Sequence, residues 1–233
     1  MKTLKRAALR WLWPLMPGWP DEGRRIVQGP NLRRMLRRAT RHSGSFQRVF
    51  NAGAGEGGYS RMLLALPGVK SVLESDYGFR TQHPVQIDPK QVFFGASLVE
   101  IPIPPRSVDL ILCTEVLEHI VEHDLALDEL ARIIVPGGWL LITVPTPPAV
   151  PDPNHAREGY RPEELAGMLE TRGFEVVETR FCMYLPFRFV LSTWSRWVWK
   201  PRLLIRTLAF LDRWVVVGPP MDLMILARAK AHS

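Results

Sequence analysis

Val49-Phe50-Asn51-Ala52-Gly53-Ala54-Gly55-Glu56-Gly57-Gly58-Tyr59-Ser60 passes from an apolar run through glycines into a segment that can start a helix. Glycines at this spacing let a strand turn sharply, bring bare backbone N–H groups close to a ligand and aim a helix N-terminus at it. The stretch predicts a nucleotide-like ligand at the end of a first strand. Two registers fit: Gly53, Gly55 and Gly58 match G-x-G-x-x-G, whereas Gly53, Gly55 and Gly57 match G-x-G-x-G. The rest of the chain has to choose between them.

Working outward, Arg48 to Ala52 reads as the first strand and Gly58 to Leu66 as the first helix, closed by Pro67-Gly68. Ser71 to Asp76 is a second strand, ending in acid about 20 residues past the glycines, where a carboxylate can bond ribose hydroxyls. Glu74 and Asp76 both qualify, and Asp76 is favoured by its place at the strand's carboxyl end. Tyr77 to Lys90 holds Pro84 and Pro89 and little helical periodicity, so the crossover helix expected there is short or absent. Gln91 to Ser97 is a third strand. Val108 to Cys113 is a fourth, so uniformly apolar that burial on both faces of a parallel sheet is expected. A helix over Leu125 to Ile134 stops at Pro136-Gly137-Gly138, and Trp139 to Pro145 is the fifth strand. A helix at Pro162 to Thr171, a strand at Phe174 to Phe181 and a last strand at Leu223 to Arg228 complete the pattern. Strands and helices alternating in this way predict an α/β, doubly wound, mostly parallel seven-stranded sheet with its ligand at the strands' carboxyl ends.

The 233 residues suit one such domain, over residues 46–233, preceded by a basic helical segment over 1–45. Hydrophobic residues at 46% and charged residues at 23% exclude disorder, and the net charge of +7 favours an acidic partner, either phospholipid or nucleic acid. Cys113 and Cys182 have neither metal-ligand spacing nor a disulfide framework, so a reducing cytoplasm is expected. The basic, Trp-containing stretch Met1 to Leu15 lacks the long apolar core and small-residue cleavage site of a secretory signal. No window reaches the roughly 20 apolar residues of a spanning helix. In Asn31 to Arg38, Leu32, Met35 and Leu36 share one helical face and arginines take the other.

Three further segments choose the register: Val108 to His119, with its Thr114-Glu115-Val116-Leu117-Glu118-His119; Leu130 to Gly138; and Trp139 to Pro145. With the glycine stretch, in this order and spacing, they resemble a class I S-adenosylmethionine-dependent methyltransferase of the broad small-molecule, quinone-biosynthesis-like subgroup, over about residues 46–180. The resemblance implies the Rossmann-like methyltransferase fold and S-adenosylmethionine as cofactor. It also implies cofactor contacts: Asn51, Gly53, Ala54 and Gly55 at the amino-acid end, Asp76 on the ribose, Ala96, Ser97 and Leu98 about the adenine, and Thr114 with Glu115 beside the sulfonium. Two positions depart from the family's habit, Asn51 and Ser97, where acids are common. The rival dehydrogenase reading fails because too little chain remains for a substrate domain.

Glu115, Glu118 and His119 fall at i, i+3 and i+4, which predicts one helical face after the fourth strand, and His155 follows the fifth strand toward the same place. His119, Glu115 and His155 are the candidate catalytic groups, with either histidine able to act as base. The set is similar to that of metal-dependent small-RNA 2′-O-methyltransferases, so Glu115, Glu118, His119 and His155 are also candidate ligands of a divalent metal.

Residues 187–217, before the last strand, read as a helical insertion of two amphipathic helices broken at Pro201. In the first, Phe187, Val190, Leu191, Trp194 and Trp197 oppose Arg188, Arg196 and Lys200. In the second, Leu204, Leu208, Leu211 and Val215 oppose Arg202, Arg206 and Arg213. Such helices suit a substrate lid or a lipid-headgroup interface. The expected partners are a small-molecule or lipid-like methyl acceptor and an anionic membrane surface, in the cytoplasm or peripheral to the membrane. Nucleic acid fits less well, because the aromatic residues sit in apolar stripes rather than alternating with basic ones. A catalytically inactive, membrane-binding relative is the non-enzymatic alternative.

Overall fold

The structure is a computed structural model that describes residues 20–80, 85–149, 152–193 and 201–231. The Trp-containing stretch of residues 1–15, and Trp194, Arg196, Trp197 and Lys200 of the insertion, lie outside the described residues. The elements in chain order are α1 (Pro20–Ser43), β1 (Arg48–Ala52), α2 (Ser60–Leu64), β2 (Ser71–Ser75), β3 (Gln91–Phe94), β4 (Val108–Thr114), α3 (His123–Ile133), β5 (Ile134–Pro145), α4 (Pro162–Glu170), β6 (Phe174–Cys182), α5 (Leu185–Thr193), α6 (Arg202–Asp212) and β7 (Asp222–Ala229). The seven strands form one sheet in the order β3-β2-β1-β4-β5-β7-β6, parallel from β3 to β5, with β7 antiparallel to β5.

The expected α/β sheet is therefore present, and its register positions the site. Ala52 pairs with Ser75 of β2 on one side and with Cys113 of β4 on the other. Gly53, Asp76 and Thr114 thus stand at one level, at the switch point where the strand order reverses and such folds bind ligands. Strand β4 is buried on both faces from Leu110 to Cys113, as its apolar run implied. Strand β5 begins earlier than expected. Val108 pairs with Ile134 but Leu110 with Trp139, so the Pro-Gly-Gly segment that stops the helix is carried as a bulge inside the strand. Among the described residues between β2 and β3, Tyr77–Arg80 forms a 3₁₀ turn.

The chain divides into two compact units: Leu32–Phe181 with Asp222–Ser233, and Met1–Asn31 with Cys182–Met221. The division falls inside α1. From Leu32 onward, Leu32, Met35, Leu36 and Ala39 are buried at helical spacing while Arg33, Arg34, Arg37, Arg38 and Arg41 are exposed. At the end of the helix Ser43 Oγ accepts the indole N–H of the buried Trp139 at 2.7 Å.

The second unit contains α5 and α6, two helices with Pro201 at the N-cap of α6, as the sequence implied. The buried positions of α6 are Ile205, Ala209 and Asp212, whereas Leu204, Leu211 and Val215 of the apolar stripe are exposed. The reason is local. Phe187 is fully buried, a Cβ on Gly23 would lie 2.4 Å from its ring, and Ile205 closes the same spot. Asp212, turned to the same side, accepts the backbone N–H groups of Tyr184 and Phe187 at 2.9 and 3.0 Å, satisfying donors at the start of α5. Burial raises the pKa of Asp212 above the usual carboxylate range, and those two hydrogen bonds oppose the shift.

Candidate functional site

The loop after β1 is built from residues that tolerate its backbone. Gly53, Gly55 and Gly57 all have positive φ (69°, 50° and 74°), and a Cβ on Gly53 would lie 2.2 Å from Val116 Cγ2. The loop is tied to β2 through Ala54 N–H to Ser75 O (2.8 Å) and Gly55 N–H to Asp76 Oδ2 (2.9 Å). Asp76 Oδ1 accepts Gly78 N–H at 2.9 Å, so one carboxylate fixes the loops on both sides of it.

A cavity of about 650 Å³ opens beside this loop. Of the residues expected at the cofactor, Gly53, Gly55, Asp76, Ala96, Ser97, Leu98 and Glu115 line it. Gly57 and Gly58 instead border a neighbouring cavity of about 680 Å³ on the other side of the loop. Asn51, Ala54 and Thr114 sit behind the lining. Asn51 is buried, and its amide oxygen and nitrogen have no hydrogen-bond partner among the described residues. Glu74 is fully buried with its oxygens accepting from Ser60 Oγ (2.9 Å) and Gln91 Nε2 (3.1 Å), while Asp76 stands at the cavity's edge.

The expected helical face of Glu115, Glu118 and His119 does not form. Glu115 has φ +53°, which no right-handed helix contains, and only Leu117–His119 makes a 3₁₀ turn. Glu115 is held to β5 instead: its N–H donates to Thr143 O (3.0 Å) and its Oε1 accepts from Thr143 Oγ1 (2.8 Å). Glu118 is fully buried and turns away from Glu115 to meet the two histidines. Ligand atoms of Glu118, His119 and His155 all lie within 4.8 Å of one another. His119 Nε2 is 3.8 Å from Glu118 Oε1, and the rings of His119 and His155 meet edge to face at 4.7 Å. His119 Nδ1 lies 3.0 Å from Asn154 O; a carbonyl can only accept, so Nδ1 carries the hydrogen and Nε2 of a neutral ring is an acceptor. Asp152 lies in the same loop. Its hydrogen bond from Asn154 N–H, with the nearby His155 and His119, holds its carboxyl below the usual range.

The loop carrying His155 is pinned by groups that carry no motif of their own. Ala156 N–H donates to Glu118 O at 2.8 Å, and Tyr160 N–H to Pro145 O at 2.9 Å. The buried Tyr160 hydroxyl lies 3.3 Å from Leu117 O and 3.0 Å from His123 Nδ1, and the Arg157 guanidinium stacks 3.9 Å over its ring. Burial pushes the Tyr160 phenol up, and burial followed by the Arg157 charge pushes His123 down. The string Arg157-Glu158-Gly159-Tyr160 carries the signal of this clamp only as a lone buriable aromatic after a glycine. Val116 and Tyr77 also line the main cavity, and nothing in their spacing marks them.

A parallel sheet with a glycine loop, an acid after β2 and a cavity over the β1/β4 switch point defines a nucleoside-binding α/β fold. Residues 50–142 match a family model described as a methyltransferase domain. Over 142 residues the chain is 34% identical to a probable S-adenosylmethionine-dependent methyltransferase of Mycolicibacterium smegmatis, covering 56% of this chain and 53% of that one. It is 30% identical over 145 residues to another from Mycobacterium tuberculosis H37Rv, covering 58% and 50%. The chain thus spans about half the length of the curated relatives it matches. An S-adenosylmethionine-dependent methyltransferase from Mesorhizobium loti superposes with TM-score 0.56 at 19% identity, covering 86% of this chain and 97% of that one. The N-methyltransferase NodS of Bradyrhizobium japonicum, solved with S-adenosyl-L-homocysteine, superposes with TM-score 0.54 at 16% identity, covering 86% of each. The segment built on the glycine loop, residues 50–142, is thus similar to S-adenosylmethionine-dependent methyltransferase domains in sequence, and the whole sheet is similar to theirs in fold.

Proposed function

We propose that this chain transfers a methyl group from S-adenosylmethionine to an apolar small-molecule or lipid-like acceptor at a membrane surface. The observation that carries the reading is the cavity of about 650 Å³ bounded by Gly53, Gly55, Asp76, Ala96–Leu98 and Glu115. Its size is that of a drug-sized ligand site. A Cβ at Gly53 would fill its wall, and the buried Asn51 amide beneath it has hydrogen-bonding capacity to spare. These features fit the cofactor. Gly53 and Gly55 would hold its amino-acid end and Ala96, Ser97 and Leu98 its adenine. Each Asp76 oxygen already accepts one backbone N–H and retains a lone pair for a ribose hydroxyl. The bound cofactor supplies a methyl group on a sulfonium, already activated toward a nucleophile.

The protein's own task is then to orient the acceptor, exclude water and take a proton from an oxygen or nitrogen nucleophile. His119 is the candidate base. Its Nδ1–H is committed to Asn154 O, which leaves Nε2 to receive a proton at the edge of the cavity. Glu115 and His155 would orient the acceptor around it. The membrane part of the reading is supported by the net charge of +7 and by the exposed arginines of α1. Among the described residues no helix is long and apolar enough to cross a membrane, so attachment would be peripheral.

The test is transfer of labelled methyl from S-adenosylmethionine into membrane extracts, followed by identification of the product. Label in a lipid-extractable product, lost on His119→Ala, supports the reading. Label only in RNA, or none at all, refutes it.

A second reading keeps the enzyme and adds a divalent metal held by Glu118, His119 and His155, favoured by the approach of their ligand atoms to within 4.8 Å. A His ligand whose other ring nitrogen bonds a backbone carbonyl is the usual supporting arrangement, and one carboxylate with two imidazoles suits a transition metal. An RNA 2′-O-methyltransferase-like activity would use Glu115 as a fourth ligand of this site, which requires it to leave its hydrogen bond with Thr143. Loss of transfer on chelation, restored by one added metal, would establish the metal, and transfer unaffected by chelators would remove it.

A further inference from the structure

Helix α6 is divided into three sectors, and among the described residues one of them, with Ile205, Ala209 and Asp212, is buried. Arg202, Arg206 and Arg213 lie together on one flank, with Arg202 and Arg206 both paired to Glu22 at 2.9 and 2.8 Å. The remaining sector, roughly a third of the circumference or more at helical spacing, carries Leu203, Leu204, Phe210, Leu211 and, in the turn that extends the helix, Trp214 and Val215. All six are exposed. The chain then continues through Val216 and Val217, also exposed, with Trp214 at 71% and Val216 at 65%.

Water is a poor environment for this surface. Scattered exposed apolar residues are ordinary, but a continuous strip that includes a tryptophan, a phenylalanine, three leucines and a run of valines marks an interaction site. Its charge identifies the partner. Between Cys182 and Met221 the sequence contains one carboxylate, Asp212, and that group is 1% exposed and committed to the N–H groups of Tyr184 and Phe187. The strip is therefore flanked by guanidinium groups and by no exposed acid of its own segment. The Arg213 guanidinium lies 5.6 Å from the Phe210 ring. An apolar strip bordered by the exposed Arg213, beside the Arg202 and Arg206 pair whose two charges share the single carboxylate of Glu22, carries a net positive edge that fits the boundary between acyl chains and anionic headgroups.

We infer that the exposed sector of α6 and the following Trp214–Val217 segment form a docking surface that lies in the headgroup region of an anionic phospholipid bilayer. The inference rests on the membrane reading given above and assigns the surface that performs it. The strip includes Leu204, Leu211 and Val215 of the apolar stripe that sequence periodicity marks for a lid or a lipid-headgroup interface.

The experiment is flotation of the full chain with vesicles of phosphatidylglycerol and phosphatidylcholine in equal parts, against phosphatidylcholine alone, without S-adenosylmethionine. The wild-type protein is expected to float with the anionic vesicles. A Phe210→Asp, Trp214→Asp double variant, altered only at exposed positions, is expected to lose at least roughly tenfold in partitioning. Thermal unfolding followed by circular dichroism checks that the variant folds without requiring the cofactor. Equal flotation of variant and wild type would overturn the assignment. So would a wild-type protein that does not float but forms a dimer which the variant dissolves, because the strip would then meet a second copy of the chain. Failure of either kind leaves cofactor binding and methyl transfer standing. A chain that floats as expected but does not bind S-adenosylmethionine refutes the enzymatic reading instead.

Discussion

Substituting Gly53 by alanine tests the construction of the site at its tightest point. Two costs are separable. The backbone at Gly53 has φ +69°, and placing an L side chain there costs about 1–2 kcal/mol. The new Cβ would also lie 2.2 Å from Val116 Cγ2 and 3.2 Å from both Cβ and Cγ1, where ordinary contact begins at 3.4 Å. Overpacking of this kind costs about 1–3 kcal/mol. The sum, about 2–5 kcal/mol, is a large part of a domain's stability. Because Val116 lines the cavity, relief of the clash moves the cavity wall, and S-adenosylmethionine should bind at least roughly tenfold more weakly, about 1.4 kcal/mol. Removing the Val116 methyls separates the terms. In Gly53→Ala, Val116→Ala only the 3.2 Å contact with Cβ remains, so the packing cost is relieved while the backbone cost stays. Urea unfolding of wild type, both single variants and the double variant should give a favourable coupling of about 1–3 kcal/mol. Additive single effects, or a Gly53→Ala protein with wild-type stability and affinity, would refute the reasoning.

Gly159→Ala should destabilise by about 2 kcal/mol or more, because φ is +112° and its Cβ would lie 2.2 Å from Pro145 O, a backbone atom that cannot turn aside; hydrogen exchange should show the loop carrying His155 loosened. Glu74→Ala should cost about 1–3 kcal/mol by leaving Ser60 Oγ and Gln91 Nε2 buried without their acceptor, while Glu74→Gln, which keeps one acceptor and offers Ser60 a donor, should cost clearly less in the same urea titration. His123 supplies a pH dependence of known sign. Its folded pKa lies below 6.5, so between that value and 6.5 the unfolded chain binds more protons than the native one, and stability falls as pH is lowered through this window. His123→Gln should flatten that part of the melting-temperature profile, and an unchanged acid slope would contradict the cause assigned to the shift.

The strands were legible because burial on a parallel sheet writes itself as continuous apolar runs, and β1, β2 and β4 begin where their runs begin. The glycine register was legible for a related reason: positive φ at Gly53, Gly55 and Gly57 restricts the residue type at each position. Glu115 shows where periodicity stops being informative. Spacing of i, i+3 and i+4 implies a shared face only inside a helix, and the pairing of Glu115 with Thr143 draws its backbone out of helical geometry. The cluster of Glu118, His119 and His155 forms nonetheless, because loop contacts from Ala156 and Asn154 bring together what a helix would have presented. In α6 the apolar stripe of Leu204, Leu211 and Val215 was legible as a pattern, but the side of the helix that is buried was not. Hydrophobicity alone cannot choose between two apolar faces, and the choice is made by Asp212, which has to reach the N–H groups at the start of α5.

The central claim is that the cavity beside Gly53 and Asp76 binds S-adenosylmethionine. Calorimetric titration of the purified chain with S-adenosylmethionine tests it most directly. The expected result is saturable binding of one equivalent, competed by S-adenosylhomocysteine and weakened by Gly53→Ala. No heat and no thermal stabilisation at millimolar ligand, from a protein that unfolds cooperatively, would contradict it.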